Sequence, residues 1–244
     1  ASPVAPLNVT ASGGISSSYV YQWYSNANNN TTSGTAISVA NGGTSASFTP
    51  PVDNTGPLYY YCVVSIFPSS TTGCSVTSAI ATITVNTGPS ISTAPQSQSI
   101  CIDGTLAALN VAYTGGTGSV SYQWYSNTTN STTGGTAVGT SSSSYVLPST
   151  LNTSAGTSYF YCELSFGGSG GCSQIITAVA TISVVAGPTV TAPTPQTICT
   201  GGSPVALTVS ASGGISSSYS YQWYNNSGAI TTATGAAYTP PSSA

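Results

Sequence analysis

One tetrapeptide recurs at nearly constant spacing and restricts the folds open to this chain. Tyr-Gln-Trp-Tyr contains Trp23, Trp124 and Trp223, so its copies lie 101 and then 99 residues apart. In addition, residues 11–19 reappear unchanged at 211–219. A fixed period of about 100 residues indicates tandem copies of one small domain rather than a single large core. The 244 residues are therefore expected to form three repeats.

Two Gly-Pro pairs mark where one repeat ends and the next begins. Gly88-Pro89 and Gly187-Pro188 each follow a stretch in which aliphatic residues alternate with Thr or Ser. These boundaries predict domains at 1–87, 88–186 and 187–244. By alignment, the first repeat is expected to lack its first strand and the third its last strands. We therefore expect the segment to be a window from a longer array.

Every local pattern in the second repeat is that of a β-strand. Period-2 alternation is interrupted by Gly-Gly and Asp-Gly turns, and no window has a helical period. Seven short strands in about 100 residues, with Trp124 on the third, are typical of an immunoglobulin-like β-sandwich. The predicted fold class is thus all-β, a tandem of such sandwiches. Three residues are expected to lie in the cores: Trp23, Trp124 and Trp223.

The chain is almost without charge, which removes whole classes of function. It has no Lys, Arg or His, and its only acids are Asp53, Asp103 and Glu163. Nucleic-acid binding and polybasic membrane contact both need cations, so neither is expected. The commonest general base is absent, and the three acids are far apart in sequence. No apolar run approaches the ~20 residues of a membrane-spanning helix. We therefore predict a protein that is not an enzyme, with no catalytic residue, metal or cofactor and no membrane insertion in this segment.

Six cysteines in a chain of this composition suggest an exported protein with disulfides. Opposed residues of a hairpin favour Cys62–Cys74 and Cys162–Cys172, which leaves Cys101 and Cys199 unassigned. A rival scheme joins the Ile-Cys and Gly-Cys positions within a repeat and leaves the Tyr-Cys thiol buried and reduced. The sequence leaves both schemes open. A zinc site would need four clustered ligands, and a full repeat has only three Cys and no His.

Tyrosines next to the core tryptophans are predicted to face outward. Side chains alternate along a strand, so when a Trp points inward the following Tyr points outward, and the same parity applies to the neighbouring strand. One interpretation is cross-strand pairing within the sheet, and the other is a surface that contacts sugars, surfaces or neighbouring filaments. The candidate surface residues are Tyr24, Tyr59, Tyr61, Tyr125, Tyr159 and Tyr161.

The combined pattern resembles the Ig-like repeats of giant cell-surface adhesins from gliding and related Bacteroidetes. It runs through Gln-x-Ile-Cys, Gly-Gly, Tyr-Gln-Trp-Tyr-Ser-Asn, Tyr-Cys and Gly-Cys to a Thr-alternating final strand, and residues 96–185 carry it in full. The resemblance implies secretion by the type IX route, an extracellular filament and a role in adhesion or gliding motility. The absence of Lys and Arg departs from that family.

Three non-catalytic functions follow from these patterns. The first is a structural stalk whose partners are neighbouring repeats of the same chain and which supports adhesion at the cell surface. The second is a module that binds glycans or surfaces directly through the tyrosines. The third is a subunit that self-associates into fibres, because a net charge of −3 gives little mutual repulsion.

Overall fold

The structure is a computed structural model that describes residues 4–14, 18–66, 74–139, 141–167 and 174–242. Apart from two short 3₁₀ turns, Val39–Asn41 and Ser149–Asn152, the secondary structure of these residues consists of strands. Contacts divide the chain into two compact units, one of residues 1–90, 113–120 and 165–175 and one of residues 91–112, 121–164 and 176–244.

The first repeat builds two small sheets. Its strands are β1 (Leu7–Asn8), β2 (Val20–Asn26), β3 (Thr35–Ala36), β4 (Ser47–Phe48), β5 (Gly56–Ser65), β6 (Ser75–Thr77) and β7 (Ala81–Val85). β1 pairs with β4, and the larger sheet has the order β3-β2-β5-β6, with β7 also paired to β5. The two halves of β5 are therefore covered by two different strands.

The second repeat contains the same arrangement with further strands. They are β8 (Ser90–Thr93), β9 (Gln98–Cys101), β10 (Leu109–Asn110), β11 (Ala112–Thr114), β12 (Val120–Asn127), β13 (Thr136–Val138), β14 (Ser144–Tyr145), β15 (Gly156–Phe166), β16 (Gln174–Ile176) and β17 (Ala180–Val185). The large sheet has the order β13-β12-β15-β17-β9, with β16 paired to β15, and β10 pairs with β14. β9 and β17 are parallel, whereas β15 and β17 are antiparallel. This is the two-sheet plan of an immunoglobulin-like β-sandwich, as the sequence predicts.

The third repeat consists of short strands in three small ladders. These strands are β18 (Thr189–Thr191), β19 (Leu207–Thr208), β20 (Ser210–Ser212), β21 (Tyr224–Asn225), β22 (Gly228–Ala229) and β23 (Ala237–Tyr238). β18 pairs with β20, β19 with β23 and β21 with β22.

The tryptophans organise the core in the first two repeats. Trp23 is 2% exposed and Trp124 is fully buried. Trp23 packs at 5.6 Å from the ring of Phe48, and Trp124 packs at 5.7 Å from the ring of Tyr145. Burying one such side chain contributes about 1.5–3 kcal/mol or more, so each indole is a main source of stability for its own sandwich.

Trp223 differs from the other two tryptophans because it remains half-exposed. Its ring still packs at 5.7 Å from Tyr238, as its counterparts do with Phe48 and Tyr145. Among residues 187–242, however, no strand corresponds to β5 or β15, which cover the indole in the other repeats. The expectation of a buried Trp223 is therefore not met in the described residues.

One hydrogen-bond cluster is the same in all three repeats. The indole N–H donates to a backbone carbonyl of the following hairpin: Trp23 to Ser45 at 2.8 Å, Trp124 to Ser142 at 2.9 Å and Trp223 to Gly235 at 2.9 Å. The preceding Gln reaches across the same hairpin: Gln22 to Ile37 O at 2.8 Å, Gln123 to Val138 O at 3.2 Å and Gln222 to Ile230 O at 2.9 Å. The repeated tetrapeptide therefore encodes a polar clamp as well as a hydrophobic anchor.

Candidate functional site: the stacked tyrosine face

The tyrosine face of the first repeat arises from strand register. Trp23 lies opposite Cys62, and Tyr24 lies opposite Tyr61 on the adjacent strand β5. Since neighbouring side chains point to opposite faces, Trp23 and Cys62 enter the core while both tyrosines lie on the outer face. Their rings stack with centroids 5.1 Å apart and planes 8° apart.

The second repeat carries the same pair. Tyr125 of β12 stacks on Tyr161 of β15, with centroids 5.0 Å apart and planes at 12°. The agreement in distance and angle shows that the same tyrosine stack forms in both of these repeats. A pair of this kind contributes about 0.5–1.5 kcal/mol beyond its area burial.

One ring of each pair does not reach the surface, although sequence parity predicts that it should. Tyr61 is 4% exposed and Tyr161 is 3% exposed. Gly34 lies over the Tyr61 hydroxyl, and a Cβ added to Gly34 would be 2.5 Å from that oxygen. Gly135 covers Tyr161 in the same way, because a Cβ added there would be 2.8 Å from the Tyr161 hydroxyl. The candidate contact surface is thus reduced to the half-buried tyrosines, which are Tyr24, Tyr59, Tyr125 and Tyr159.

A carboxylate distinguishes the second face from the first. Glu163 lies two residues beyond Tyr161 on β15 and so shares its face, whereas the first repeat has Val63 at this position. The pKa of Tyr125 is raised above its usual 10.0, mainly by burial and to a smaller extent by the charges of Glu163 and Tyr161. The Tyr125 hydroxyl therefore stays protonated, as a donor and acceptor of hydrogen bonds, throughout the physiological range.

The predicted Cys62–Cys74 disulfide is not formed, and the predicted Cys162–Cys172 pair involves a residue outside the described ones. Cys62, Cys74, Cys101, Cys162 and Cys199 are all free thiols, and Cys172 lies outside the described residues. Register explains the error for Cys62–Cys74: Val63 pairs with Thr77 and Ser65 with Ser75, so Cys62 faces Ser78. The Ser78 N–H donates to the Cys62 carbonyl at 2.8 Å, which fixes this alignment.

Within the described residues, no three side chains of His, Cys, Asp or Glu come together in a way that could hold a metal ion. In the same residues, no helix has both the length and the apolar character needed to cross a membrane. A cavity of about 870 Å³ beside the first core is lined by one charged residue, Asp53. None of these features assembles a nucleophile with a base.

No protein-family model matches the sequence, and a comparison with curated proteins also gives no match. Solved structures of tandem immunoglobulin domains are similar in fold. Extracellular domains 3–5 of Drosophila OTK are 14% identical, with 94% of this chain and 76% of that chain covered and a TM-score of 0.35. Sidekick-1 immunoglobulin domains 1–4 are 16% identical, with coverage of 92% and 58% and a TM-score of 0.35. The chain spans 41% of the four N-terminal Ig domains of Dscam1 isoform 4.44, at 19% identity, 75% coverage of this chain and a TM-score of 0.29.

Proposed function

We propose that this chain is a non-catalytic structural segment of an extracellular adhesin, a stalk made of three modules at 1–87, 88–186 and 187–244. The observation that carries the proposal is the repeated tryptophan clamp. Trp23, Trp124 and Trp223 each donate to a carbonyl of the following hairpin at 2.8–2.9 Å, so the same internal contact recurs in each proposed module. Modules that are stabilised internally suit a load-bearing array.

The setting we propose is the bacterial cell surface. The sequence pattern resembles the repeats of giant adhesins from gliding Bacteroidetes, which supports export by the type IX route and a role in adhesion or gliding motility. A surface of Ser, Thr, Asn and Gly with three acids and no cations also suits a segment that contacts little apart from its neighbours.

A second candidate function is direct contact with glycans or surfaces through the tyrosine face. It is favoured by the partly exposed outer rings of Tyr24 and Tyr125, each held rigid by a buried stacking partner. Rigid aromatic rings provide contact area at little entropic cost. The two candidates differ in whether the chain itself adheres.

Retention under flow distinguishes the two functions. The chain is displayed on a non-adherent cell, either bare or with a binding domain of known ligand at its tip. A stalk predicts that the bare chain does not hold the cell and that the tipped chain does, with no change when Tyr24→Ser and Tyr125→Ser are combined. Retention by the bare chain that those two substitutions abolish would contradict the stalk and establish direct binding. Val76→Ser, at an exposed strand position on β6, is the matched control.

A further inference from the structure

The first two repeats each contain a cavity at the same place beside the core aromatics, but the two cavities differ in size. The cavity of the first repeat is about 870 Å³ and is lined by Phe48 and Tyr60. The cavity of the second repeat is about 310 Å³ and is lined by Tyr145 and Phe160, at the equivalent strand positions. None of residues 88–108, which include β8 and β9, lines the cavity of the second repeat, so the first strands of a repeat do not determine its size.

The loop that leads into the long strand differs between the two repeats and accounts for the difference. Seven residues, 149–155, separate the proline after β14 from β15, and Leu151 of their 3₁₀ turn lines the smaller cavity. Four residues, 52–55, separate the proline after β4 from β5, and they bring Asp53 to the larger cavity. The first repeat thus has a carboxylate where the second has a leucine, and it keeps a space in the ~300–1,000 Å³ range typical of ligand pockets.

The hydroxyl of Tyr60 opens into the larger cavity without a partner. Tyr60 is 4% exposed, and among the described residues no hydrogen bond involves its hydroxyl. The oxygen is still not sealed from solvent, because no fully buried side-chain oxygen of the described residues lacks a partner. The hydroxyl therefore reaches the cavity that its ring lines, where it can donate and accept a hydrogen bond. Phe160 has no such group in the second repeat.

Four further polar side chains surround the same space, and within the described part of the chain none of them makes a hydrogen bond or an ion pair. They are Ser25, Ser38, Asn41 and Asp53. Ser25 lies directly opposite Tyr60 in the register of β2 and β5, so their side chains share the inner face of the sheet. Ile37, Phe48 and Pro50 supply apolar walls. Free hydroxyls, an amide and a carboxylate therefore surround an apolar floor.

This lining favours an uncharged ligand that is rich in hydroxyl groups. The chain has no Lys, Arg or His, so an anion would meet the Asp53 carboxylate and no cation. An organic cation would use Asp53 alone and leave the hydroxyls and the amide unpaired. A sugar uses all of them, because its hydroxyls donate to the carboxylate and exchange hydrogen bonds with the hydroxyls and the amide, while its C–H faces contact the apolar walls.

We propose that this cavity of the first repeat is a binding site for an uncharged saccharide. Asp53 accepts hydrogen bonds from the sugar, Tyr60 donates one to it, and Leu151 narrows the equivalent place in the second repeat. The site is distinct from the tyrosine face, because Tyr60 points into the sandwich while Tyr24 lies on its outer face. The proposal goes beyond the stalk role and does not depend on it, since it concerns one cavity within one repeat.

Titration of the ¹⁵N-labelled full chain with three uncharged trisaccharides tests the proposal: maltotriose, cellotriose and N-acetylated chitotriose. With at least one of them we expect saturable shifts of the amide signals around the cavity, in residues 37–41 and 48–53. The equivalent segment of the second repeat, residues 145–151, is the internal control and should not shift. Absence of saturable shifts with all three sugars, or equal shifts in the two repeats, would overturn the proposal.

Single substitutions identify the groups that hold the sugar. Tyr60→Phe removes one hydroxyl and leaves the ring that the second repeat has at Phe160, so the fold should be retained and binding should weaken about tenfold. Asp53→Asn keeps the shape and removes the charge, and it should weaken binding by a similar factor. Tyr21→Phe makes the same chemical change on β2, outside the cavity lining, and should alter binding by less than about twofold. Weakening by Tyr24→Ser with none by Tyr60→Phe would place the sugar on the tyrosine face and overturn the proposal.

A loop exchange tests the shape of the cavity. Replacing residues 52–55 by residues 149–155 introduces the counterpart of Leu151 and should abolish the saturable shifts. Near-ultraviolet circular dichroism of the tryptophans verifies that the exchanged chain is folded. Undiminished binding by the folded exchange variant would contradict the proposal. If the exchange prevents folding, the comparison of Tyr60→Phe with Tyr21→Phe still decides the question.

Discussion

Cys62 and Cys162 occupy equivalent positions on β5 and β15 and are fully buried against the tryptophans. Burial is the main cause that raises the pKa of the Cys162 thiol from 9.0 to about 12, and it also raises the pKa of Cys62. A thiol that stays protonated is a poor nucleophile and a poor metal ligand. At this scale the two cysteines act as small apolar core residues, in the position where antibody domains have a disulfide partner.

The raised pKa of Cys162 predicts a loss of stability in alkali. The folded thiol remains protonated while the unfolded thiol ionises, so its stabilising contribution is complete below pH 9.0 and is lost as the pH rises toward about 12. Tyr60 and Tyr145, whose pKa values burial also raises, act in the same direction. Urea unfolding at about pH 8 and about pH 10.5 measures the decline, and Cys162→Ala should make it shallower. An equal decline in both proteins would contradict this role for the thiol.

Gly34 and Gly135 determine whether the tyrosine stacks can form. A Cβ on Gly34 would meet the Tyr61 hydroxyl at 2.5 Å, whereas a Cβ on Gly156 would find nothing within 4 Å. Gly34→Ala should therefore lower the free energy of unfolding by about 1–3 kcal/mol through overpacking, and Gly156→Ala should change it by less than about 1 kcal/mol. Thermal or urea unfolding of the two variants checks the difference. Equal stabilities would mean that the stack tolerates a side chain above it.

Strand parity predicts the face on which each tyrosine lies, but not how exposed its ring is. Alternation from Trp23 places Tyr24 and Tyr61 on one outer face, and the register confirms that placement. The burial of Tyr61 depends on Gly34, 27 residues earlier in the chain, which lies against its ring. Strand parity carries no information about such a long-range cover. Parity therefore overestimates the exposure of Tyr61 and Tyr161, although it assigns these side chains to the outer face of the sheet, where the register places Tyr61.

At the scale of elements, the final stretch of each of the first two repeats is broken into two short strands, β6 and β7 or β16 and β17. Alternation alone would make residues 174–185 one continuous strand. At the gap Thr177 is 2% exposed, and its hydroxyl accepts a hydrogen bond from the Cys162 N–H at 3.0 Å. Ser78 does the same for Cys62 at 3.0 Å. A side-chain oxygen thus replaces the backbone partner that the break removes.

Removing that oxygen should leave a buried donor without a partner. Thr177→Val keeps the shape of the side chain and should lower the free energy of unfolding by about 1–3 kcal/mol, since the Cys162 N–H loses its acceptor. Thr177→Ser keeps the hydroxyl and should cost less. Denaturant unfolding of both variants gives the comparison. A Val variant as stable as the Ser variant would show that the N–H is satisfied in another way.

The register of β6 against β5 explains why the Cys62–Cys74 prediction is wrong. The prediction assumed a short hairpin turn, which places Cys74 opposite Cys62. The pairs Val63↔Thr77 and Ser65↔Ser75 instead shift the register by four residues, and Cys74 falls beyond the ladder. Turn length is set by the loop conformation, which leaves no periodic signature in the sequence. The strand pairs could be predicted, but their register could not.

For the whole molecule, the stalk proposal requires each repeat to be a separate module. Trp23 and Trp124 are buried in the first two repeats, whereas the third repeat shares the hydrogen bond of Trp223 although none of residues 187–242 is buried. Period and fold class could be predicted because hydrophobic alternation and repetition are local signals. Stability should then be nearly additive over modules, as in other linear arrays.

Pulling on single molecules of the full chain tests this modular account most directly. Independent modules predict that the complete middle repeat, residues 88–186, unfolds in a separate event that lengthens the chain by about 300 Å, since about 100 residues extend to at most ~360 Å and the folded length is subtracted. Replacing Trp124 by Ala should lower the force of that event and leave the others unchanged. One unfolding event that releases the whole chain, about 850 Å at most, would contradict the account.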